Sequence, residues 1–274
     1  MYILVNYADA KYNPARKWNS FTGKYIAKFD KIIECSPEKI DEEFKEKYKE
    51  IFAEKRGNGL WLWKPYFINK IIESCKDGDI IFYCDAGSFF IRSFNGIIKY
   101  ITNENPIFVC DIPLLESCFT KPLCFKEMNC DEEFYKNSNQ IISTYFVFMV
   151  NSFTRKFMKE WLFFCCKYEL IKPEGNFKNL SHNFNNNFVV HREDQSIFSL
   201  LCKKYKVIPH KDFSQRGNSP TSYKKPFYTY REPLHINDKY KSILFLHKSP
   251  RLNIMVFIKY FWHELKRKLK EHRH

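Results

Sequence analysis

The chain has 274 residues, is 45% hydrophobic and 18% aromatic, and carries a formal net charge of +14. That length and apolar content support one sizeable core and exclude a disordered chain, and the absence of a run of about 18 uncharged apolar residues excludes a membrane-spanning helix. The charge points to phosphate-rich ligands, nucleic acid or an anionic membrane surface, although the Lys, Asn, Ile and Phe bias also fits an AT-rich genome.

The first residues, "MYILVNYADAKY", lack a basic n-region and cleavage site and read as a strand over 2–7, with Ala8 and Asp9 at its exit; a cytoplasmic location is expected. "KIIEC" at 31–35 is a second strand. Ser36 followed by Pro37 opens a helix over 37–55, with Ile40, Phe44, Tyr48, Ile51 and Phe52 at helical spacing and Arg56 to Gly59 ending it. Pro65 opens another helix carrying Ile68, Ile71, Ile72 and Cys75 on one face. Residues 80–84 form a strand without alternation, as in sheets covered on both sides. A helix over 92–102 and a strand over 106–112 complete a strand–helix alternation typical of α/β domains.

Residues 113–140 read as irregular, 141–150 as a strand and 152–170 as a helix turning Phe153, Phe157, Trp161 and Cys165 inward. An Asn-rich loop spans 172–190, a helix 194–205, a short strand "KVIPH", a loop-rich stretch 211–240 and a late strand 242–247. Residues 252–274 form a basic amphipathic helix whose stripe is Ile254, Ile258, Phe261, Leu265 and Leu269. That helix suits either packing on the domain or contact with an anionic membrane. The domain is expected over 1–250, with 251–274 as the terminal helix. The ten cysteines form no CxxC pair, and Cys84, Cys110, Cys165 and Cys202 lie in apolar runs, so they read as core rather than zinc ligands.

Three segments carry candidate chemistry. In "RGNGLWLWKPYF", Lys64 stands before a proline-led helix start that can hold an anion, while Trp61 and Trp63 suit either the core or a base or sugar face. In "GDIIFYCDAGSFF", Asp85 ends a strand and is followed by Ala86, Gly87 and Ser88. It reads as turn punctuation or as a ligand for a divalent cation at the edge where α/β sheets bind ligands. In "HREDQSIFSLL", the cluster His191, Arg192, Glu193, Asp194 and Gln195 exceeds what capping a helix requires.

Together, in this order, the three segments resemble bacterial capsule and lipooligosaccharide glycosyltransferases of the GT-A fold, over roughly residues 1–205. The resemblance implies an α/β fold: a GT-A-like, Rossmann-type single domain with a mixed central sheet flanked by helices. It also implies transfer of a sugar from a nucleotide-sugar donor, a UDP-sugar foremost, to a growing surface glycan; with the basic terminal helix, a lipid-linked acceptor and a place on the inner membrane face are expected. More distantly, "YCDAG" is similar to the Y-L-D-A-D of the glycogenin and lipooligosaccharide galactosyltransferase type. There two aspartates hold Mn²⁺ on the donor diphosphate; Asp85 matches the first and Gly87 replaces the second, which puts the expected divalent metal, Mn²⁺ or Mg²⁺, in question. His247 stands where those enzymes place a metal-binding histidine. By the same resemblance Asn6, Tyr7, Ala8, Trp63, Lys64, Ala86, Gly87, His191 and Gln195 join Asp85 at the donor, and Asp194 or Glu193 acts as base or positions the sugars. Rival readings are a nucleic-acid-binding protein, disfavoured because the basic residues gather in the terminal helix, a metal-dependent phosphoesterase, and an inactive homologue.

Overall fold

Two apolar layers enclose a central sheet, and the sheet's strands supply both. The computed structural model describes residues 1–175, 188–217, 235 and 238–271. Strands β1 (Tyr2–Tyr7), β2 (Lys31–Cys35), β3 (Ile80–Cys84), β4 (Ser88–Phe90), β5 (Ile107–Leu115), β6 (Asn139–Ile141), β7 (Tyr145–Met149), β8 (Pro209–His210) and β9 (Leu244–Leu246) are present. The large sheet runs β2-β1-β3-β7-β5-β6, with β8 beside β5, and β4 pairs β9 separately. β1 is parallel to β2 and β3, whereas β7 is antiparallel to β3 and β5, so the sheet is mixed.

Successive side chains on a strand point to opposite faces. Ile3, Val5, Ile81, Tyr83, Phe146 and Phe148 enter one core; Leu4, Phe82, Cys84, Tyr145 and Val147 enter the other. This double burial is why β1 and β3 lack polar alternation. The first core is closed by helices α1 (Trp63–Glu73), α2 (Ser152–Cys165) and α3 (Glu193–Lys204). Asn151 and Thr154 cap α2 reciprocally, fixing its start next to the end of β7.

Several sequence expectations shift. The helix expected over 37–55 is three short pieces, Pro37–Lys39, Glu42–Lys47 and Lys49–Phe52, because Ile40 and Asp41 are extended and Tyr48 leaves helical geometry at φ −116° and ψ 34°. Its aromatic spacing still works, as Phe44 packs on Tyr48, Phe52 and Tyr66. The helix over 92–102 contracts to Asn95–Ile98, and 152–170 divides into α2 and a turn at Tyr168–Ile171. The apolar run 141–150 is two strands rather than one, broken at Ser143 and Thr144. Helix α1 begins at Trp63, two residues before Pro65, so Lys64 lies within its first turn. The Asn-rich segment falls largely on 176–187, outside the described residues.

Ahead of α1, five consecutive residues adopt left-handed backbone, from Gly57 (φ 62°) through Gly59 (φ 87°) to Trp61 (φ 61°). Such a run is costly for residues with a side chain. At Gly59 a Cβ would also meet Phe52 Cδ1 at 2.7 Å, so the second glycine of RGNG is required twice over.

The terminal helix α4 (Ile254–Glu271) lies against the β4–β9 pair through Val256 and Tyr260, which pack with Phe89 and Phe245. The predicted stripe faces away: Ile254, Ile258, Phe261, Leu265 and Leu269 are all exposed. No helix among the described residues is long and apolar enough to cross a membrane. All ten cysteines are free and nine are buried, as small apolar side chains.

Candidate active site

The three candidate segments meet at the C-terminal edge of β3. Asp85 leaves the sheet there, its backbone N–H bonded to Thr144 O at 2.9 Å. Lys64, from the first turn of α1, is fully enclosed and lies 3.0 Å from Asp194 Oδ2 and 3.7 Å from Asp85 Oδ1. One ammonium thus joins carboxylates 109 positions apart in sequence. Ser143 completes the group: its Oγ donates to Asp194 Oδ2 at 2.8 Å, and its carbonyl and Oγ accept from Lys64 at 3.2 Å each. Tyr83 donates to Asp85 Oδ1 at 2.6 Å.

Electrostatics follow from burial. Burial works against the Lys64 charge, but Asp194 and Asp85 outweigh it and hold the ammonium above the ordinary lysine value. Burial raises the Asp194 carboxyl, with Lys64 and Ser143 opposing. Burial and Asp85 push the Tyr83 phenol far up, so it stays a neutral donor. Within the Lys64–Asp85–Asp194 group only Asp85 reaches solvent appreciably, with its side chain 33% exposed against 5% for Asp194.

Behind this group stands a second set of contacts. Glu193, buried and at φ 42°, turns to Arg56, whose Nε donates to Oε1 at 2.5 Å. It is therefore not part of the lysine-linked group, although the sequence places it next to Asp194. Gln195 reaches Ser143 N at 3.5 Å and donates to Gln140 Oε1 at 2.8 Å. Trp161 Nε1 donates to the Asp194 carbonyl at 3.2 Å, anchoring the start of α3 to α2. Arg192, not Asp194, occupies the N-cap position, and Asp194 stands in the first turn where the helix dipole favours a carboxylate.

Other expected donor residues are enclosed instead. Asn6 is buried and donates to Asn19 Oδ1 and Ser20 Oγ, tying β1 to the helix Asn13–Thr22. Tyr7 stacks on Trp63 with ring centroids 3.6 Å apart, so Trp63 belongs to the core. Ala8 and Ala86 are buried too. His191 is wholly buried, accepts from Lys121 N at 3.4 Å, and is pushed by burial down to about 3, a neutral core histidine. Lys64 faces the two carboxylates rather than a free anion site, because two buried acids require a countercharge.

The expected metal pair, Asp85 and His247, has partners within the protein. Asp85 Oδ1 is already occupied by Tyr83 and approached by Lys64. His247 Nδ1 accepts from Ser249 N at 3.1 Å, and its Nε2 is buried without a hydrogen-bond partner. Burial lowers His247 to about 4 and keeps it neutral. Gly87 lies against the strand opposite: its carbonyl accepts from His247 N and Lys248 N at 2.9 Å, and a Cβ there would stand 3.2 Å from Lys248 Cα. A side chain in place of Gly87 would require the Lys248 backbone to give by a few tenths of an ångström. Among the described residues no group of three His, Cys, Asp or Glu could hold a metal ion.

Ser143 is a site residue that the sequence reading passed over, whereas Tyr83 and Arg56 stood in the quoted segments without a role. The signal for Ser143 is the polar pair Ser143-Thr144 interrupting the apolar run 141–150.

No family model matches the sequence, and no curated protein matches it. Among solved structures the chain is similar to mouse xyloside xylosyltransferase 1 in its apo form, at 10% identity over 92% of this chain and 99% of that one, with a TM-score of 0.48. It is similar to the galactosyltransferase LgtC in complex with donor and acceptor sugar analogues, at 13% identity over 90% and 87%, with a TM-score of 0.47. It is also similar to the apo glycosyltransferase GlyE of Streptococcus pneumoniae TIGR4, at 10% identity over 90% and 54%, with a TM-score of 0.44. These solved structures are glycosyltransferases. Overlaps of this size assign no activity, which has to rest on the side chains.

Proposed function

We propose that the protein is a glycosyltransferase that moves a sugar from a nucleoside-diphosphate donor, a UDP-sugar foremost, to a hydroxyl of a bacterial surface glycan. The observation that carries this reading is the Lys64 bridge between Asp85 and Asp194, which draws the three motif segments of the resemblance into one strand-edge site. Transfer forms a bond from the acceptor oxygen to the anomeric carbon and breaks that carbon's bond to the donor phosphate. The electron pair leaves with the nucleoside diphosphate, and the hydroxyl proton is released. Asp85, the exposed member, is the carboxylate that reaches substrate. Asp194, Lys64 and Ser143 lie behind it as positioning residues that hold its direction and charge. This reading replaces the expected base role of Asp194 and Glu193, since both are enclosed and paired.

The exposed apolar side chains of α4, flanked by Lys259 and Lys266, support an acceptor at an anionic membrane surface. Trp18, Phe21, Tyr25 and Ile26 extend that surface, with Trp18 edge-on to Phe257 at 6.2 Å. The test is a panel of nucleotide sugars with and without a lipid-linked or oligosaccharide acceptor, reading nucleoside diphosphate release and labelled glycan. Acceptor-dependent release supports transfer; acceptor-independent release of sugar or phosphate points to a hydrolase, and turnover of no donor sinks the proposal.

A further inference from the structure

A cavity of about 450 Å³ opens between the end of β9 and the flank of α4. Phe245 and Val256 give it an apolar wall, and Met255, Lys259, Trp262 and Lys266 line it from the helix. Those four follow one another at spacings of four, three and four, so they share one helix face. Each stands one position after a member of the exposed stripe, namely Ile254, Ile258, Phe261 and Leu265. The cavity face and the apolar face are therefore neighbours, about 100° apart around α4.

Charge decides what such a cavity suits. Lys259 and Lys266 stand two turns apart, about 10 Å along the helix, and no Asp or Glu among the described residues lines the cavity. Neither lysine makes an ion pair among the described residues, whereas Glu264, the acidic residue between them, turns to Arg92 at 3.3 Å. Flexible stems let both ammoniums turn to one anion held between them, as charge-assisted donors. Trp262 lies between the lysines, largely exposed, with Lys266 5.8 Å from its ring centroid. An indole has an apolar body and a polar N–H, which suits the level of lipid headgroups. The two neighbouring faces thus match the two parts of an anionic lipid, its head and its chains.

We propose that this cavity receives the phosphate headgroup of an anionic membrane lipid, whose acyl chains run along Ile258, Phe261 and Leu265. The proposal deepens the membrane reading of α4 and rests on it, replacing a general attraction to negative charge by one lipid seated at one place. His247 also lines the cavity, and its backbone N–H is bonded to Gly87 O at 2.9 Å. A lipid seated here holds the membrane one strand away from the edge that carries Asp85.

The experiment is calorimetric titration of dihexanoyl-phosphatidylglycerol, kept below its micelle concentration, into the full chain, beside dihexanoyl-phosphatidylcholine and inorganic phosphate. The glycerol lipid is expected to bind once per chain, about tenfold or more tightly than either comparison. Lys259→Ala combined with Lys266→Ala is expected to weaken it about tenfold or more. Lys126→Ala combined with Lys156→Ala removes the same charge from exposed positions elsewhere and is expected to leave it unchanged. Melting curves report that both variants are folded. Equal binding of inorganic phosphate, equal binding of the choline lipid, or wild-type affinity in the Lys259 and Lys266 variant each overturns the proposal. So does failure of the soluble lipid to bind; if phosphatidylglycerol vesicles still sediment the protein, the membrane reading survives that failure, and if they do not, it falls as well. Donor turnover on an oligosaccharide acceptor in solution tests the glycosyltransferase reading separately.

Discussion

Lys64 is the residue on which the site turns. Its ammonium has two carboxylate partners and a serine, and all except Asp85 are buried. Replacing it by methionine keeps the stem's packing but strands Asp194, which is expected to cost about 3–5 kcal/mol in a denaturant melt. Asp85→Asn behaves differently, because Asp85 reaches solvent and is not needed to fill the core. It is expected to lower transfer about a hundredfold or more with a melting temperature close to wild type. A transfer rate unchanged in Asp85→Asn would remove Asp85 from the chemistry. The sequence marked Lys64, Asp85 and Asp194 as separate candidates. It did not show that they share one charge network, since nothing local records a contact between α1, β3 and α3.

The paired strands β4 and β9 show what an element adds. Gly87 is needed because the chain crosses it closely, and a Cβ there stands 3.2 Å from Lys248 Cα. Gly87→Ala is expected to cost about 1 kcal/mol and to weaken nucleoside diphosphate binding, which titration of the variant checks. Further along the sheet, β5 carries Asp111, whose carboxylate holds His235 Nε2 at 2.7 Å. That hydrogen bond, against burial and with further help from Asp238, raises His235 above the ordinary 6.5. A raised histidine stabilises the fold fully below its unfolded value, and the gain is lost as pH rises through the folded one. His235→Asn is therefore expected to lower the melting temperature below pH 6.5 and to converge on wild type well above it. His210 nearby is lowered by burial and opposes this, so the comparison must use the single variant rather than the wild-type profile alone.

At the scale of the molecule, the exposed apolar stripe of α4 and the Trp18–Ile26 surface adjoin one another through Trp18 and Phe257. Basic side chains around an apolar face favour anionic lipid, at about 1 kcal/mol for each lysine near the surface. Sedimentation with phosphatidylglycerol vesicles, and not with phosphatidylcholine vesicles, is the expected result. Ile258→Glu combined with Phe261→Glu should weaken it about tenfold or more, since each buried apolar side chain contributes roughly 1.5–3 kcal/mol. Both residues are exposed, so the melting temperature should hold. Equal sedimentation with both lipids, or no effect of the double variant, would return α4 to a purely structural role.

The positions of β1, β2 and β3, the double cover of β3 and the three chemical segments were determined by sequence alone, because each depends on neighbours within a dozen residues. Helix interruptions at Tyr48 and Cys165 were not legible, since periodicity survives a break that keeps the aromatic side chains in phase. The direction of the α4 stripe was likewise undetermined: an amphipathic pattern says that two faces differ, not which one meets the domain. Tertiary structure alone decided that Trp63, His191 and Asn6 belong to the core and that Lys64 pairs with Asp194. It alone set Lys248 against Gly87. Those outcomes depend on contacts between residues tens to more than a hundred positions apart, and on the electrostatic cost of burying charge, neither of which a local pattern encodes.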